Sequence, residues 1–78
     1  MENFVKFVVS ELVDDKESVQ VRTQDVDGST IITVKVNPNE LGRVVGHGGR
    51  NAQAIRTLVH SLAGKKGELY KKINVKFE

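Results

Sequence analysis

Cysteine and tryptophan are absent from this sequence, and proline occurs only once. Without cysteine, the chain can form neither a disulfide framework nor a metal site built on thiolates. No apolar run approaches the roughly 20 residues that cross a bilayer, and charged Lys6 and Glu11 interrupt the N-terminal apolar stretch, unlike in a signal peptide. We therefore expect a cytoplasmic protein without a membrane segment, and we expect residues 1–78 to form one domain.

Acidic residues are scarce in the second half of the sequence. Residues 1–40 carry four basic and eight acidic side chains, a net charge of −4. Residues 41–78 carry eight basic side chains against Glu68 and Glu78, a net charge of +6. A polyanionic partner is expected to prefer the second half, although a solvated lysine surface accounts for the charge equally well.

Apolar periodicity predicts a helix near the N-terminus. Its apolar positions include Phe4, Phe7, Val8 and Leu12. Phe4 and Phe7 are therefore expected in the core. Asn3 is the expected N-cap, and Asp14-Asp15 is the expected end, because negative charge is unfavourable at a helix C-terminus.

Alternation of apolar and polar residues predicts three strands. One alternating run covers residues 19–24 and a second covers Thr30 to Val36. Asp27-Gly28 between them is a strong turn signal, so these two strands are expected to form a hairpin. A third alternating run covers residues 73–77.

A short helix is predicted after the hairpin, from Pro38 to about Val45. Asn37 suits its N-cap, Pro38 its first position, and Glu40 the carboxylate of a capping box. Gly42 is expected to allow close packing of this helix.

A longer helix is predicted to begin near Arg50, with Gly64 as its C-terminal cap. Its expected apolar face comprises Ala52, Ile55, Leu58, Val59 and Leu62. A basic loop, Lys65–Lys72, then leads to the last strand. The order α-β-β-α-α-β predicts an α+β fold, with a three-stranded mixed sheet backed by three helices. The second strand is expected at the centre, antiparallel to the first and parallel to the third.

Three glycines in four residues, Gly46-His47-Gly48-Gly49, separate the two later helices. Glycine lets a ligand approach the main chain, and the N-terminus of the following helix favours an anion. A phosphodiester backbone is therefore expected against this loop, with added charge from Arg43 and Arg50. An apolar groove for bases is expected beside it, with the strand ending at Val36 as its second wall. The groove residues would be Val44, Val45, Ala52 and Ile55.

The string Val44-Val45-Gly46-His47-Gly48-Gly49-Arg50-Asn51-Ala52 resembles the Ile-Ile-Gly-x-x-Gly core of the KH domain. In that family the GxxG loop clamps about four nucleotides. The resemblance covers nearly the whole chain, and the element order resembles the type II KH arrangement. The chain is also similar to small bacterial RNA-binding proteins that consist of one KH domain.

The resemblance implies a role for each residue of the loop. Gly46 and Gly49 would be the fixed glycines, and His47 and Gly48 the variable pair facing the phosphates. It further implies single-stranded RNA as ligand, and a homodimer or a heteromer with a larger Jag-type RNA-binding protein. The implied function is that of a post-transcriptional regulator or RNA chaperone affecting cell shape and envelope growth.

The variable pair differs from that of many KH loops, which place Lys or Arg there. Neutral histidine at His47 supplies a hydrogen bond rather than a full charge. Binding is therefore expected to depend more on Arg43 and Arg50, and to strengthen below about pH 6.5, where histidine becomes charged.

Other functions have weaker support from the sequence. No nucleophile–base pair or metal cluster is recognisable, so neither an enzyme nor a cofactor is expected, and a nuclease using His47 has little support. Three phenylalanines and one tyrosine, none near the loop, argue against an aromatic RNA platform. A phosphate-binding P-loop is excluded because no Gly-Lys-Ser/Thr follows Gly46. A protein-interaction module using the same loop stays open, as does a plain interhelical turn.

Overall fold

The computed structural model describes residues 1–65 and 72–78. Its elements are α1 (Glu2–Ser10), β1 (Gln20–Val26), β2 (Ser29–Lys35), α2 (Leu41–Val45), α3 (Arg50–Lys65) and β3 (Lys72–Phe77). Single 3₁₀ turns lie at Lys16–Ser18, Pro38–Glu40 and His47–Gly49. This order confirms the predicted α-β-β-α-α-β arrangement. Most of the predicted basic loop, residues 66–71, lies outside the described residues.

The sheet has the order β1-β2-β3, with β2 antiparallel to β1 and parallel to β3, as predicted. Val26 pairs with Ser29, which leaves a two-residue turn at Asp27 and Gly28. Both turn residues have positive φ, 49° and 79° respectively, the geometry of a type I′ hairpin. Ser29 pairs with Lys72 at the start of the parallel ladder, so the crossover through α2 and α3 brings the chain back beside β2.

One face of the sheet is covered by helices and forms the core. Alternate residues of β2 and β3 point into it, which explains the period of two in the sequence. The buried apolar residues are Val5, Val9, Val13, Val19, Ile32, Val34, Val36, Val44, Ala52, Ile55, Val59, Ala63, Ile73 and Val75. Valine supplies most of this core, so its packing uses stiff, branched side chains.

The N-terminal helix differs from its prediction in bounds and in orientation. It begins at Glu2 without a side-chain cap and ends at Ser10, before Asp14-Asp15. Val5 and Val9 form its buried line, and Phe7 lies about 200° around the helix from Val5. Phe7 is consequently 65% exposed, so its predicted place in the core is wrong.

The segment between α1 and β1 contains two short-range polar contacts. The Lys16 ammonium donates to the carbonyl of Ser10. The Ser18 hydroxyl donates to the Asp15 carboxylate, and this bond lowers the pKa of Asp15.

The long helix also differs in detail from its prediction. Ile55 and Val59 are buried as expected, and the buried line of the helix continues to Ala63. Leu58 lies to one side of this line and is 46% exposed. Gly64 lies within the last turn of α3, which the structure follows to Lys65.

Candidate nucleic-acid interface

The glycine loop begins where α2 stops, at Gly46. Its N–H still donates to the carbonyl of Gly42, at 2.8 Å, and closes the last helical turn. Gly46 then adopts φ 82° and ψ 168°. A Cβ on Gly46 would lie 2.8 to 3.0 Å from three atoms of Asn51. Both the backbone angle and the close approach of α3 therefore require glycine at this position.

The tip of the loop is exposed backbone. Gly48 has φ 63° and Gly49 has φ 80°, and the Gly49 N–H donates to the Gly46 carbonyl at 3.1 Å. A Cβ on Gly48 or Gly49 would meet nothing within 4 Å. His47 and Gly48 are exposed, and Arg50 opens α3 with its side chain exposed. The loop thus presents accessible main chain in front of the N–H groups of a helix N-terminus.

The segment before the loop is anchored by a buried carboxylate. Asn37 caps the 3₁₀ turn through the Asn39 N–H, as predicted. Glu40 forms no capping box; its carboxylate instead accepts from the N–H groups of Asp14 and Asp15, at 2.6 and 3.0 Å. Glu40 is only 8% exposed. The predicted capping box is therefore wrong, because the Glu40 carboxylate binds the N–H groups of Asp14 and Asp15, which are distant in sequence.

Arg43 belongs to the same polar cluster. Its guanidinium lies 3.0 Å from the Asp14 carboxylate and 3.6 Å from that of Glu40. The Arg43 carbonyl accepts from the side-chain amide of Asn51, at 2.8 Å. These bonds tie α2 both to the segment after α1 and to α3. Arg43 and Arg50 therefore stand in different environments, although both flank the loop in sequence.

Gly42 does not have the role expected from the sequence. It is exposed on α2, and a Cβ added there would meet nothing within 4 Å. Close helix packing is therefore not the reason for glycine at this position.

The residues predicted to form the apolar groove lie mostly beneath the surface. Val44, Ala52 and Ile55 are 0 to 3% exposed and belong to the core behind the loop. Val45 is half-buried. Val36, at the end of the strand expected to form the second wall, is only 4% exposed.

An accessible cleft lies instead between α3 and β3, and we call it the α3–β3 cleft. Its volume is about 700 Å³. It is lined by Gln53, Arg56, Thr57, His60, Ser61, Ile73, Asn74, Val75 and Lys76. Gln53 follows Arg50 by one turn of α3, so the cleft opens beside the glycine loop.

Two side chains of α3 bind the carbonyl groups of β3 within this cleft. The Arg56 guanidinium donates twice to the Val75 carbonyl, at 3.3 and 3.2 Å, and lies 5.4 Å from the centre of the Phe77 ring. His60 Nε2 lies 3.0 Å from the Ile73 carbonyl oxygen. These contacts fix the wall of the cleft and occupy backbone groups at the edge of the sheet.

Sequence reasoning missed the polar lining of this cleft. The signal was present as polar residues at helical spacing along α3, namely Gln53, Arg56, Thr57 and His60. This polar stripe is typical of any solvated helix face, so it does not by itself indicate a site.

Within the described ranges, no group of three or more His, Asp or Glu side chains is placed to hold a metal ion. The helices described here are also too short or too polar to cross a membrane.

A glycine loop between two helices, packed on a sheet with β2 between antiparallel β1 and parallel β3, defines the type II KH fold. The comparison with known families agrees with this class. The family model of the KhpA/KhpB KH domain matches residues 2–76. The chain belongs to the KhpA/KhpB KH-domain family.

Curated relatives carry the name RNA-binding protein KhpA. One from Caldanaerobacter subterraneus subsp. tengcongensis is 44% identical over 66 residues, covering 85% of this chain and 88% of the relative. One from Aquifex aeolicus is 35% identical over 68 residues, covering 87% of this chain and 86% of the relative. One from Streptomyces coelicolor is 34% identical over 65 residues, covering 83% of this chain and 82% of the relative.

Proposed function

We propose that this chain binds short single-stranded RNA segments, with phosphates against Gly46–Gly49 and bases in the α3–β3 cleft. The observation that carries the proposal is the loop itself. Its exposed main chain stands before the N-terminus of a 16-residue helix, and a polar cleft opens one helical turn further on. The name of the relatives, RNA-binding protein KhpA, supports RNA as the ligand.

The division of contacts follows from the chemistry of each surface. Backbone N–H groups and the positive end of the α3 dipole favour phosphate, and Arg50 adds a full charge. The amide of Gln53, the hydroxyl of Thr57 and the amide of Asn74 offer donors and acceptors to base edges. Val45 supplies the half-buried apolar surface beside the loop.

The test uses two matched double variants of the exposed loop pair. His47→Asp/Gly48→Asp places two carboxylates where the phosphates are proposed to lie. His47→Asn/Gly48→Asn has nearly the same shape without the charge. Asp and Asn both tolerate the positive φ of Gly48 better than other residues, so both variants are expected to fold, which circular dichroism checks.

Fluorescence anisotropy with labelled single-stranded RNA measures the outcome. We expect the Asp variant to lose binding and the Asn variant to retain most of it, because only the carboxylates repel phosphate. Equal binding by the natural protein and the Asp variant would reject the loop as the RNA site. No binding by the natural protein would favour a protein-interaction module, whose partner interface depends less on salt.

We further propose that the chain acts with other KH domains in the cytoplasm, as a homodimer or with a larger Jag-type protein. One domain that contacts about four nucleotides binds weakly, and linked domains raise the effective concentration. In this proposal the assembly regulates RNA after transcription, or acts as an RNA chaperone, with effects on cell shape. Light scattering of the protein alone and mixed with the partner tests the assembly step, which a monomer in both samples would contradict.

A further inference from the structure

The sheet face that the helices leave uncovered, here called the open face, is polar and basic. Strand alternation places on it Gln20, Arg22, Gln24 and Val26 of β1, Ser29, Ile31, Thr33 and Lys35 of β2, and Lys72, Asn74 and Lys76 of β3. The apolar Val26 and Ile31 lie toward the turn, and the basic side chains of β1 and β2 lie toward the other end of these strands. A hollow of about 290 Å³ lies there. It is bordered by Gln20, Arg22, Gln24, Thr33, Lys35, Lys76 and Glu78.

The charge of this hollow favours an anion. Arg22, Lys35 and Lys76 contribute three positive charges and Glu78 one negative charge. In the part of the chain that the structure describes, ion pairs form only around Arg43. The three cations of the hollow are therefore available to a ligand, and all three side chains are exposed.

The register of the sheet sets these cations in a compact pattern. Arg22 pairs with Thr33, and Thr33 pairs with Lys76, so the three residues form one row across the strands. Adjacent strands are about 4.8 Å apart, which separates the ends of this row by roughly 10 Å. Lys35 stands two residues beyond Thr33 on the same face. This width fits one nucleic-acid strand.

The side chains of the hollow indicate which part of that strand they contact. The lining combines amides, a hydroxyl and cations, and it includes no aromatic ring. Such a surface forms hydrogen bonds and ion pairs with phosphate oxygens, whereas base stacking requires aromatic rings. The open face is therefore suited to the RNA backbone, with little base preference.

Lys76 connects this hollow to the α3–β3 cleft, because it borders both. It lies on β3, one of the two edge strands of the sheet. We propose that RNA leaving the α3–β3 cleft crosses the edge at Lys76, and that Arg22 and Lys35 bind the phosphates of the flanking segment. This proposal rests on the proposed function of the loop and the cleft. The open face would be a second RNA-binding surface, here called the RNA track, and it would extend the bound RNA beyond about four nucleotides.

The test compares two RNA lengths and two charge-matched variants. Arg22→Gln/Lys35→Gln removes two charges from the open face and spares Lys76, which belongs also to the cleft. Lys6→Gln/Lys16→Gln removes two exposed charges from another part of the surface. Anisotropy titrations use single-stranded RNA of about four nucleotides, the length of a KH site, and of about twelve, within the range of longer single-strand sites. Circular dichroism confirms that each variant is folded.

We expect the natural protein to bind the longer RNA more tightly than the shorter one. The Arg22/Lys35 variant should bind the longer RNA roughly fivefold more weakly, while its binding of the shorter RNA is unchanged. The slope of log affinity against log salt should fall by about 1.4 for the longer RNA, since each phosphate contact on a single strand contributes about 0.7. The Lys6/Lys16 variant should match the natural protein on both RNAs.

The two proposals fail in different ways. If the Arg22/Lys35 variant binds the longer RNA with the affinity and salt slope of the natural protein, the open face is not an RNA track. An equal loss in the Lys6/Lys16 variant also overturns the proposal, since it would show a general effect of net charge. Failure of the loop site appears instead as short-RNA binding that survives His47→Asp/Gly48→Asp.

Discussion

The two ends of the glycine loop are built in different ways. On the upstream side, Arg43 is paired with Asp14 and Glu40, and its carbonyl is bound by Asn51. On the downstream side, Arg50 is exposed and forms no ion pair with any residue in the described ranges. One end thus uses its charge to hold the loop in place, and the other leaves its charge available.

This difference separates positioning from binding. A cation already paired with two carboxylates must exchange those contacts for a phosphate, so its net gain on binding is small. An unpaired cation exchanges only water and counterions, and counterion release favours binding. Two arginines that look equivalent in sequence are therefore expected to give different phenotypes.

The largest expected effect is on stability, from Gly46→Ala. A side chain at Gly46 meets Asn51 at 2.8 Å and requires an unfavourable positive φ. We expect a loss of about 2–4 kcal/mol in the free energy of unfolding, measured by urea denaturation. Gly48→Ala is the matched control, because its φ is also positive but the space is open, and it should lose only about 1–2 kcal/mol. Equal losses of unfolding free energy in the two variants would show that the close approach of Gly46 to Asn51 of α3 does not contribute to stability.

The next effect comes from the upstream anchor, with Glu40→Gln. The carboxylate accepts two backbone N–H bonds across the molecule. An amide has one oxygen to accept and brings a donor toward the other N–H, so we expect a loss of about 1–3 kcal/mol. Glu17→Gln, at an exposed carboxylate, removes the same charge and should change stability by less than about 0.5 kcal/mol. Similar results for both variants would contradict the anchoring role of Glu40.

Local patterns were sufficient to predict most of the fold. The Asp27-Gly28 turn, the alternation through β2 and the Asn37-Pro38 helix start each depend on neighbouring residues, and the structure confirms them. Phe7 was misplaced because a helix with apolar residues on most of its surface does not reveal which side is buried. Glu40 was misassigned because its partners, at Asp14 and Asp15, are more than twenty residues away.

The candidate site was predictable only in part. Three glycines in four residues identified the loop, since their backbone angles and accessibility follow from glycine itself. The position of the cleft depends on how α3 packs beside β3, and that packing is a tertiary property. The pairing of Arg43 is tertiary as well, so sequence alone placed Arg43 and Arg50 in the same role.

The two arginines are compared directly by Arg50→Gln and Arg43→Gln. We expect Arg50→Gln to weaken binding of short single-stranded RNA roughly threefold, and to reduce the salt slope by about 0.7, as for one lost phosphate contact. Arg43→Gln should lower stability slightly and leave the salt slope unchanged. Anisotropy titrations at several salt concentrations measure both. A reduced slope for Arg43→Gln alone would reverse the assignment of the two ends.

The smallest expected effect is a gain in stability from Gly42→Ala. Gly42 lies inside α2 with open space around the added methyl group, and alanine favours the helix over glycine by up to about 1 kcal/mol. Because α2 has only five residues, we expect a gain of about 0.5 kcal/mol, measured by urea denaturation. Short-RNA binding measured on the same variant sharpens the comparison of the two ends. A gain in stability with unchanged affinity would assign the upstream end to positioning alone, whereas a gain with weaker binding would mean that RNA occupies the space beside Gly42.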